Sequence, residues 1–278
     1  MRTFTLPSGQ SIPVLGMGTW RMGENQRQRQ QEVSALRHGL DLGFSLIDTA
    51  EMYGEGGAEK VIGEAIASCR SKVFLVSKVY PHNASKQGAI AACERSLQRL
   101  KTDYLDLYLL HWRGSIPLSE TLSAFQQLKQ AGKIRDFGVS NFDVDDMEEW
   151  VSLEGGQSQV AVDQVLYNLS RRGIEHNLKP WCQQRQIPIM AYSPVEQGRI
   201  LNNRILKAIA QEKGVSAAQI AIAWLLQQDN TIVIPKASKL EHIEQNYAAQ
   251  NISLNADDLT KLDQAFPAPN RPIALQML

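Results

Sequence analysis

Four polar residues of complementary chemistry follow apolar, β-favouring segments of this chain. They are Asp48 and Tyr53 in LIDTAEMYG, Lys78 at the end of KVFLVSK, and His111 in YLDLYLLHW. A carboxylate, a phenol, an amine and an imidazole at one place could transfer a proton and stabilise a negatively charged oxygen. Each residue alone is more often structural than catalytic, but their recurrence at three successive segment ends favours a proton-transfer site.

The four side chains also suggest what each would do. A lysine inside a protein needs a counter-ion, and Asp48 is the natural one for Lys78. We expect the Lys78 ammonium to favour the phenolate of Tyr53 and so to lower the pKa of this phenol from its ordinary value of about 10. With His111 offering a further hydrogen bond, the set would stabilise a developing alkoxide, which suits hydride addition to a carbonyl. The hydride must come from a cofactor, because no side chain supplies one.

Eight apolar segments that alternate with amphipathic stretches predict the fold. Near-continuous apolar segments of this length are typical of parallel strands buried on both faces. With no linker or change of composition between them, they predict one α/β domain over residues 1–278, a (β/α)8 TIM barrel whose active site lies at the C-terminal ends of the strands. The segments are 14–18, 45–48, 73–78, 105–111, 137–140, 161–165, 187–191 and 231–235.

The two ends of the chain predict smaller elements. Residues 3–6 and 11–14, joined by the turn Pro7-Ser8-Gly9-Gln10, predict a β-hairpin that caps the bottom of the barrel. Towards the C-terminus the pattern predicts a helix over 240–249 and a second short helix. An irregular tail is expected from Pro267.

Composition limits the classes of partner and the location. Lys and Arg number 29, as do Asp and Glu, so a neutral total argues against nucleic acid or an anionic membrane as partner. No segment approaches the ~20 apolar residues that span a bilayer, and the N-terminus lacks a secretory pattern. The three cysteines fit no disulfide framework or metal site. We therefore predict reduced thiols and a cytoplasmic location. We also expect a monomer.

Several motifs together resemble one enzyme family. DTAEMYG, VSKVY, LLHW, GVSNF, AYSP and IPKA occur in the order and spacing of the aldo-keto reductases, and the resemblance covers nearly the whole chain. It implies a catalytic tetrad of Asp48, Tyr53, Lys78 and His111, with Tyr53 as proton donor and His111 orienting the carbonyl. It also implies NADPH, extended across the barrel mouth. Similarity to bacterial members suggests small aldehydes, and methylglyoxal-like ketoaldehydes in particular, as substrates.

The resemblance assigns the nicotinamide end of the cofactor to strand-end residues. It implies that Ser140, Asn141 and Gln164 hold the carboxamide and that the nicotinamide ring stacks on Tyr192. The sequence contains no G-x-G-x-x-G, so loops rather than a Rossmann turn must hold a dinucleotide. Further expected cofactor contacts near this end are Thr19, Trp20, Asp48, Ser193, Pro194 and Val195.

The adenosine end is expected beyond the eighth segment. Lys236 follows Pro235 just before a predicted helix, where barrels bind anions, and is the expected contact of the adenosine phosphate. Ala237 and His242 depart from the hydroxyl residue and the arginine usual in the family. Because histidine is mostly neutral at pH 7, NADH is a possible weaker alternative to NADPH. The other expected cofactor contacts at this end are Pro235, Ala237, Ser238, His242, Gln245 and Asn246.

The substrate pocket is expected to have aromatic walls. Trp20 and Trp112 resemble the pocket walls of the family, and Tyr80 is a further candidate. Together with Tyr53 and His111 they form the predicted substrate contacts. Short loops and a brief tail predict an open pocket suited to small carbonyl compounds.

Two other functions deserve comparison. A nicotinamide-binding regulatory subunit would share the fold, but we expect it to carry interaction segments that these 278 residues lack. A metal-dependent barrel hydrolase could use His111 with Asp48, but it needs more histidines and carboxylates at strand ends. We predict no metal, and we interpret the acidic residues 145–149 as a solvated helix start.

Overall fold

The computed structural model describes residues 2–6, 8–155 and 160–278. An antiparallel hairpin of β1 (Thr3–Thr5) and β2 (Ser11–Pro13) precedes a sheet of eight parallel strands in chain order. Each of the eight predicted segments overlaps one strand of this sheet. The strands are β3 (Gly16–Gly18), β4 (Leu46–Asp48), β5 (Phe74–Val79), β6 (Leu105–Leu110), β7 (Ile134–Ser140), β8 (Val160–Leu166), β9 (Ile189–Tyr192) and β10 (Thr231–Val233).

The first and last strands of the sheet meet and close it. Parallel bridges join Leu15 to Val233 and Gly18 to Lys236, and the Gly18 amide donates to the Pro235 carbonyl at 3.0 Å. A Cβ atom at Gly18 would lie 2.8 Å from the Ile234 carbonyl oxygen, so this close approach requires glycine. The predicted (β/α)8 barrel is confirmed.

Ten helices are found in the described residues, most of them packed around the barrel. Ser216 and Gln219 form a capping box before the helix that begins at Ala217, and Gly132, with a φ of 73°, follows the helix that ends at Gln130. The helices are α1 (Arg29–Leu42), α2 (Gly57–Ala65), α3 (Lys86–Leu100), α4 (Leu118–Gln130), α5 (Val144–Ser152), α6 (Leu178–Gln184), α7 (Arg204–Glu212), α8 (Ala217–Leu226), α9 (Leu240–Ala248) and α10 (Ala256–Ala265). Short 3-10 segments span Gln26–Gln28, Tyr53–Gly56, Arg70–Lys72, Pro81–Asn83, Gly173–Glu175, Glu196–Asn202 and Ala249–Asn251.

The barrel interior and the strand–helix interface are separate apolar clusters. Phe74 and Val76 of β5 and Leu107 and Leu109 of β6 belong to the interior cluster. Since side chains alternate along a strand, Lys78 lies on the inward face of β5, above these apolar residues. The outward residues of the strands pack against the helices in a larger cluster.

The N-terminal hairpin closes the bottom of the barrel, as predicted. Leu6 and Ile12 are buried in the interior cluster. The Ser8 hydroxyl donates to Asp136, and the Gln10 amide donates to Asp106 at 3.5 Å. Pro7, the first residue of the predicted turn, lies outside the described residues. The hairpin therefore fills the end of the barrel opposite the four chemistry-bearing residues.

Other sequence expectations concern the thiols, the C-terminus and membrane spans. All three cysteines are free. Residues 267–278 form neither helix nor strand, as expected for the tail. Within the described ranges, no helix combines the length and apolar character needed to cross a membrane.

Candidate active site

Strand register brings three of the four predicted residues together. Asp48 ends β4 and pairs with Val76, two residues before Lys78 on β5. Lys78 in turn pairs with Leu109 of β6, two residues before His111. All three side chains therefore lie at the C-terminal ends of adjacent strands.

The Lys78 side chain is fully buried and its ammonium group is completely hydrogen-bonded. Nζ lies 2.9 Å from each carboxylate oxygen of Asp48 and donates to the Thr49 carbonyl at 2.7 Å. Burial lowers the pKa of Lys78, an effect that the adjacent Asp48 carboxylate opposes. The predicted ion pair is present, and it neutralises the lysine charge within the barrel.

Tyr53 reaches this ion pair from the loop after β4. Its phenol oxygen lies 3.3 Å from Nζ of Lys78, and its ring centroid lies 4.9 Å from the same nitrogen. Tyr53 begins a 3-10 turn in which Gly54 and Glu55 have φ values of 57° and 52°. This left-handed backbone reverses the chain immediately after the tyrosine and leaves Tyr53 directed at the strand ends.

The predicted lowering of the Tyr53 pKa is wrong. Burial, and secondarily the negative charge of Asp48, raise the pKa of Tyr53 well above its ordinary value. The ammonium of Lys78 would by itself lower this pKa, but the Asp48 carboxylate at 2.9 Å offsets the lysine charge. The phenol is therefore protonated at neutral pH, which is the form that a proton donor requires.

His111 completes the group as a neutral imidazole. Burial, and secondarily the Lys78 charge, hold the pKa of His111 well below its ordinary value. Nδ1 is buried and has no hydrogen-bonding partner among the described residues. The His111 ring packs edge-on to Tyr53, with 5.9 Å between the ring centroids. An uncharged ring can donate a hydrogen bond from its other nitrogen, Nε2.

The residues predicted for the carboxamide form one hydrogen-bonded wall. The Ser140 hydroxyl donates to the Gln164 carbonyl at 2.8 Å, and the Asn141 amide donates to the His111 carbonyl at 3.0 Å. The Tyr192 hydroxyl donates to Oδ1 of Asn141 at 2.9 Å. Nε2 of Gln164 donates to Oδ1 of Asp48 at 2.8 Å, a contact that the sequence did not predict. The wall is thereby joined to the buried ion pair.

A cavity of about 630 Å³ opens above these residues, within the range of small-molecule sites. Its wall contains most of the predicted residues: Thr19, Trp20, Asp48, Tyr53, His111, Trp112, Ser140, Asn141, Gln164, Tyr192, Ser193, Pro194, Val195 and Lys236. Residues that sequence reasoning missed also line it: Gly18, Arg21, Met52, Gln197, Ile234, Met277 and Leu278. Arg21 and Met52 are next to the predicted residues Trp20 and Tyr53 in the sequence, and this proximity could have identified them. Met277 and Leu278 lie in the tail, which carries no periodic pattern.

Some predicted residues lie outside the cavity wall. Tyr80 packs edge-on against Trp112, with 5.8 Å between the ring centroids, so it supports the wall without forming it. At the adenosine end, His242 is exposed and Asn246 is buried one turn later on α9. The structure thus leaves six residues of this end outside the wall of the cavity: Pro235, Ala237, Ser238, His242, Gln245 and Asn246.

The described residues offer no grouping of three or more His, Cys, Asp or Glu side chains suited to a metal ion. The acidic residues near α5 instead cap the helix or pair with an arginine. Asp143 and Asp146 make a capping box, and Glu149 accepts two hydrogen bonds from Arg113. These contacts give no support to a metal-dependent hydrolase.

Comparison with known proteins decides the family. A family model described as the Aldo/keto reductase family matches residues 14–266, which is most of the chain. This chain belongs to the aldo/keto reductase family. The family that the sequence motifs indicated is thereby confirmed, and with it the class of enzyme, the oxidoreductases.

Individual members of the aldo/keto reductase family are similar over nearly their full length. Methylglyoxal reductase YeaE of Escherichia coli (strain K12) is 54% identical over 273 residues, which are 96% of each chain. Glyoxal reductase of Bacillus subtilis (strain 168) is 35% identical, over 94% of this chain and 91% of its own. A crystal structure of an aldo/keto reductase from Klebsiella pneumoniae, in complex with NADP and acetate, has a TM-score of 0.96 and 48% identity and covers 99% of both chains.

Proposed function

We propose that this chain reduces small aldehydes and ketones to alcohols with NADPH, and that methylglyoxal-like ketoaldehydes are its substrates. The observation that carries the proposal is the protonated Tyr53 phenol held 3.3 Å from a buried, charge-paired lysine at the cavity. The names of the similar reductases from Escherichia coli and Bacillus subtilis support the substrate class.

The residues of the cavity fit a phosphorylated nicotinamide dinucleotide. Arg21 and Lys236 place two cations in its wall, as a phosphate-bearing ligand requires. Ser140, Asn141 and Gln164 offer hydroxyl and amide groups to a carboxamide, and the Tyr192 ring offers a stacking surface. The Klebsiella pneumoniae relatives solved with NADP and with NADPH support this cofactor. Reduced nicotinamide supplies the hydride when the cofactor is bound.

Residues of the protein then supply the proton to the carbonyl oxygen and stabilise the negative charge left on Tyr53. As the carbonyl oxygen gains negative charge, the Tyr53 hydroxyl transfers its proton to that oxygen. The adjacent Lys78 ammonium, held by Asp48, stabilises the phenolate left on Tyr53. The neutral His111 donates a hydrogen bond from Nε2 to the same carbonyl oxygen and so orients the substrate. A general acid placed in this way contributes about 10²- to 10⁴-fold to the rate.

The apolar part of the wall receives the rest of the substrate. Trp20, Met52 and Trp112 line the cavity beside Tyr53 and His111. Rings and thioethers favour small apolar or weakly polar groups over charged ones. This wall suits the methyl and second carbonyl group of a compound such as methylglyoxal.

Three further predictions belong to the same proposal. We propose that residues 1–278 act as one domain, that the protein is monomeric, and that it works in the cytoplasm. The absence of any pairing among the three cysteines in the structure agrees with a reducing compartment. Size-exclusion chromatography with light scattering tests the oligomeric state.

The deciding experiment follows the loss of NADPH absorbance with methylglyoxal, glyoxal, simple aldehydes and aldose sugars. Turnover with the ketoaldehydes is expected, and Tyr53→Phe should reduce it by at least about 10²-fold while NADPH still binds. Tyr104→Phe is the matched control, because Tyr104 precedes β6 at the opposite end of the barrel. A wild-type protein that binds NADPH and reduces no carbonyl compound would instead favour the regulatory subunit.

A further inference from the structure

The loop after β9, residues 193–198, faces the cavity with one side and the protein interior with the other. Ser193, Pro194, Val195 and Gln197 line the cavity. Glu196 does not line it, and with 3% of its surface exposed it is buried on the opposite side. The loop is thus a wall of the cavity with a carboxylate behind it.

The backbone of this loop is in an unfavourable conformation for its residue types. Ser193, Glu196 and Gln197 have φ values of 51°, 50° and 54°, and Gly198 has 89°. The left-handed region is natural for Gly198 but costs free energy for the other three residues. A segment with three such residues in five positions keeps its shape when its surroundings hold it there.

The Glu196 carboxylate supplies that support. Oε1 accepts hydrogen bonds from Nε and Nη2 of Arg171, at 2.9 and 2.8 Å, and from Nη2 of Arg199 at 2.7 Å. Oε2 accepts from Nδ2 of Asn168 at 2.8 Å. These hydrogen bonds outweigh the effect of burial and hold the pKa of Glu196 below its ordinary value. Hydrogen bonds to an ionised acceptor are about twice as strong as those between neutral groups.

The same contacts join the loop to a second segment of the chain. Asn168 and Arg171 follow β8 and form a bridged turn of their own. Nδ2 of Asn168 also donates to the Ser193 carbonyl at 2.9 Å, so Asn168 is hydrogen-bonded to the loop at both Ser193 and Glu196. Glu196 is therefore the acceptor through which one strand-end loop is fixed to its neighbour.

We propose that Glu196 is a positioning residue that holds the 193–198 loop in its cavity-lining shape before any ligand enters. Because the ligand is taken to be NADPH, this inference rests on the proposed function. Without Glu196 the loop would leave its left-handed conformation for part of the time. A ligand that needs the formed wall would then bind in proportion to the fraction of molecules in which the wall is formed.

The test compares Glu196→Gln with the wild type in two measurements that do not involve turnover. Titration with NADPH, followed by tryptophan fluorescence, should give a dissociation constant raised about tenfold, as expected if the formed wall falls to about a tenth of the population. Amide hydrogen exchange without NADPH should be faster in residues 193–198, and saturating NADPH should restore slow exchange. At saturating NADPH, kcat should change less than the dissociation constant does.

Two further variants separate positioning from general stability. Arg171→Gln removes the donor of two of the hydrogen bonds to Glu196 and should raise the NADPH dissociation constant in the same way. The double variant should bind NADPH no more weakly than the worse single variant does. Glu175→Gln is the matched control, because Glu175 also accepts two hydrogen bonds from one arginine, Arg172, and does not line the cavity. It should lower the melting temperature without changing NADPH binding.

Unchanged NADPH affinity together with unchanged exchange of the loop in Glu196→Gln would overturn the proposal. Equal losses of affinity in Glu196→Gln and Glu175→Gln would also overturn it, because they would indicate a general effect of stability. If the wild type binds no NADPH, the proposed function fails, and the exchange of the ligand-free loop alone then decides the role of Glu196.

Discussion

The side-chain amide of Gln164 donates a 2.8 Å hydrogen bond to Oδ1 of Asp48, although the two residues are 116 positions apart. The same oxygen accepts from Lys78. Asp48 therefore links the amide wall of the cavity to the lysine that lies against Tyr53. A change at Asp48 should disturb both the binding wall and the proton donor.

The buried pair of Asp48 and Lys78 predicts strongly coupled effects on stability. Asp48→Asn or Lys78→Met alone leaves an uncompensated buried group and should lower the free energy of unfolding by about 3–5 kcal/mol. The double variant removes both charges and should lose less than the sum of the two single losses. Urea unfolding followed by fluorescence measures all three variants. Additive losses would show that the two charges do not depend on each other.

The low pKa of His111 predicts a dependence of stability on pH. Unfolded histidine titrates near pH 6.5, whereas the folded protein holds His111 neutral to lower pH. Between these two values the unfolded state binds more protons, so stability falls as the pH drops below 6.5. From pH 7 to 5.5 the wild type should lose about 1 kcal/mol more than His111→Asn does. The other histidines are common to both proteins and cancel in this comparison, which urea midpoints at the two pH values provide.

The position of Lys236 in the cavity wall predicts that NADPH binds more tightly than NADH. If its ammonium contacts the phosphate that distinguishes NADPH from NADH, Lys236→Ala should weaken NADPH about tenfold and NADH much less. Lys239→Ala is the matched control, because Lys239 is an exposed lysine three residues on that does not line the cavity. Fluorescence titrations with both cofactors measure the effect. Equal losses for NADPH and NADH would place that phosphate elsewhere.

The strands could be predicted from the sequence, and so could the clustering of Asp48, Tyr53, Lys78 and His111, because each rests on a local pattern. Buried parallel strands form continuous apolar segments, and a polar residue at the end of such a segment is visible without coordinates. Counting eight such segments predicted a closed barrel, and the bridge between Gly18 and Lys236 closes it. The pairing of Asp48 with Lys78 followed from the cost of burying a lone ammonium.

Other features depend on contacts that no local pattern records. The pKa of Tyr53 depends on how completely Asp48 offsets the lysine charge and on how deeply the phenol is buried. Met277 and Leu278 reach the cavity through an irregular tail, whose path has no periodicity to reveal it. Glu196 adopts a backbone conformation that glutamate rarely takes. Two of its partners, Asn168 and Arg171, are 28 and 25 positions away in the sequence.

The bridge between Gly18 and Lys236 is the seam at which the cylinder of strands closes. Trp20 lies two residues beyond the first strand at this seam, and Trp20 and Lys236 both line the cavity. A ligand that touches both therefore fastens the beginning of the sheet to its end. A bound ligand should therefore slow the opening of the barrel between these two strands. The protein with ligand should unfold at a higher temperature, and be cleaved by protease more slowly, than the protein without it.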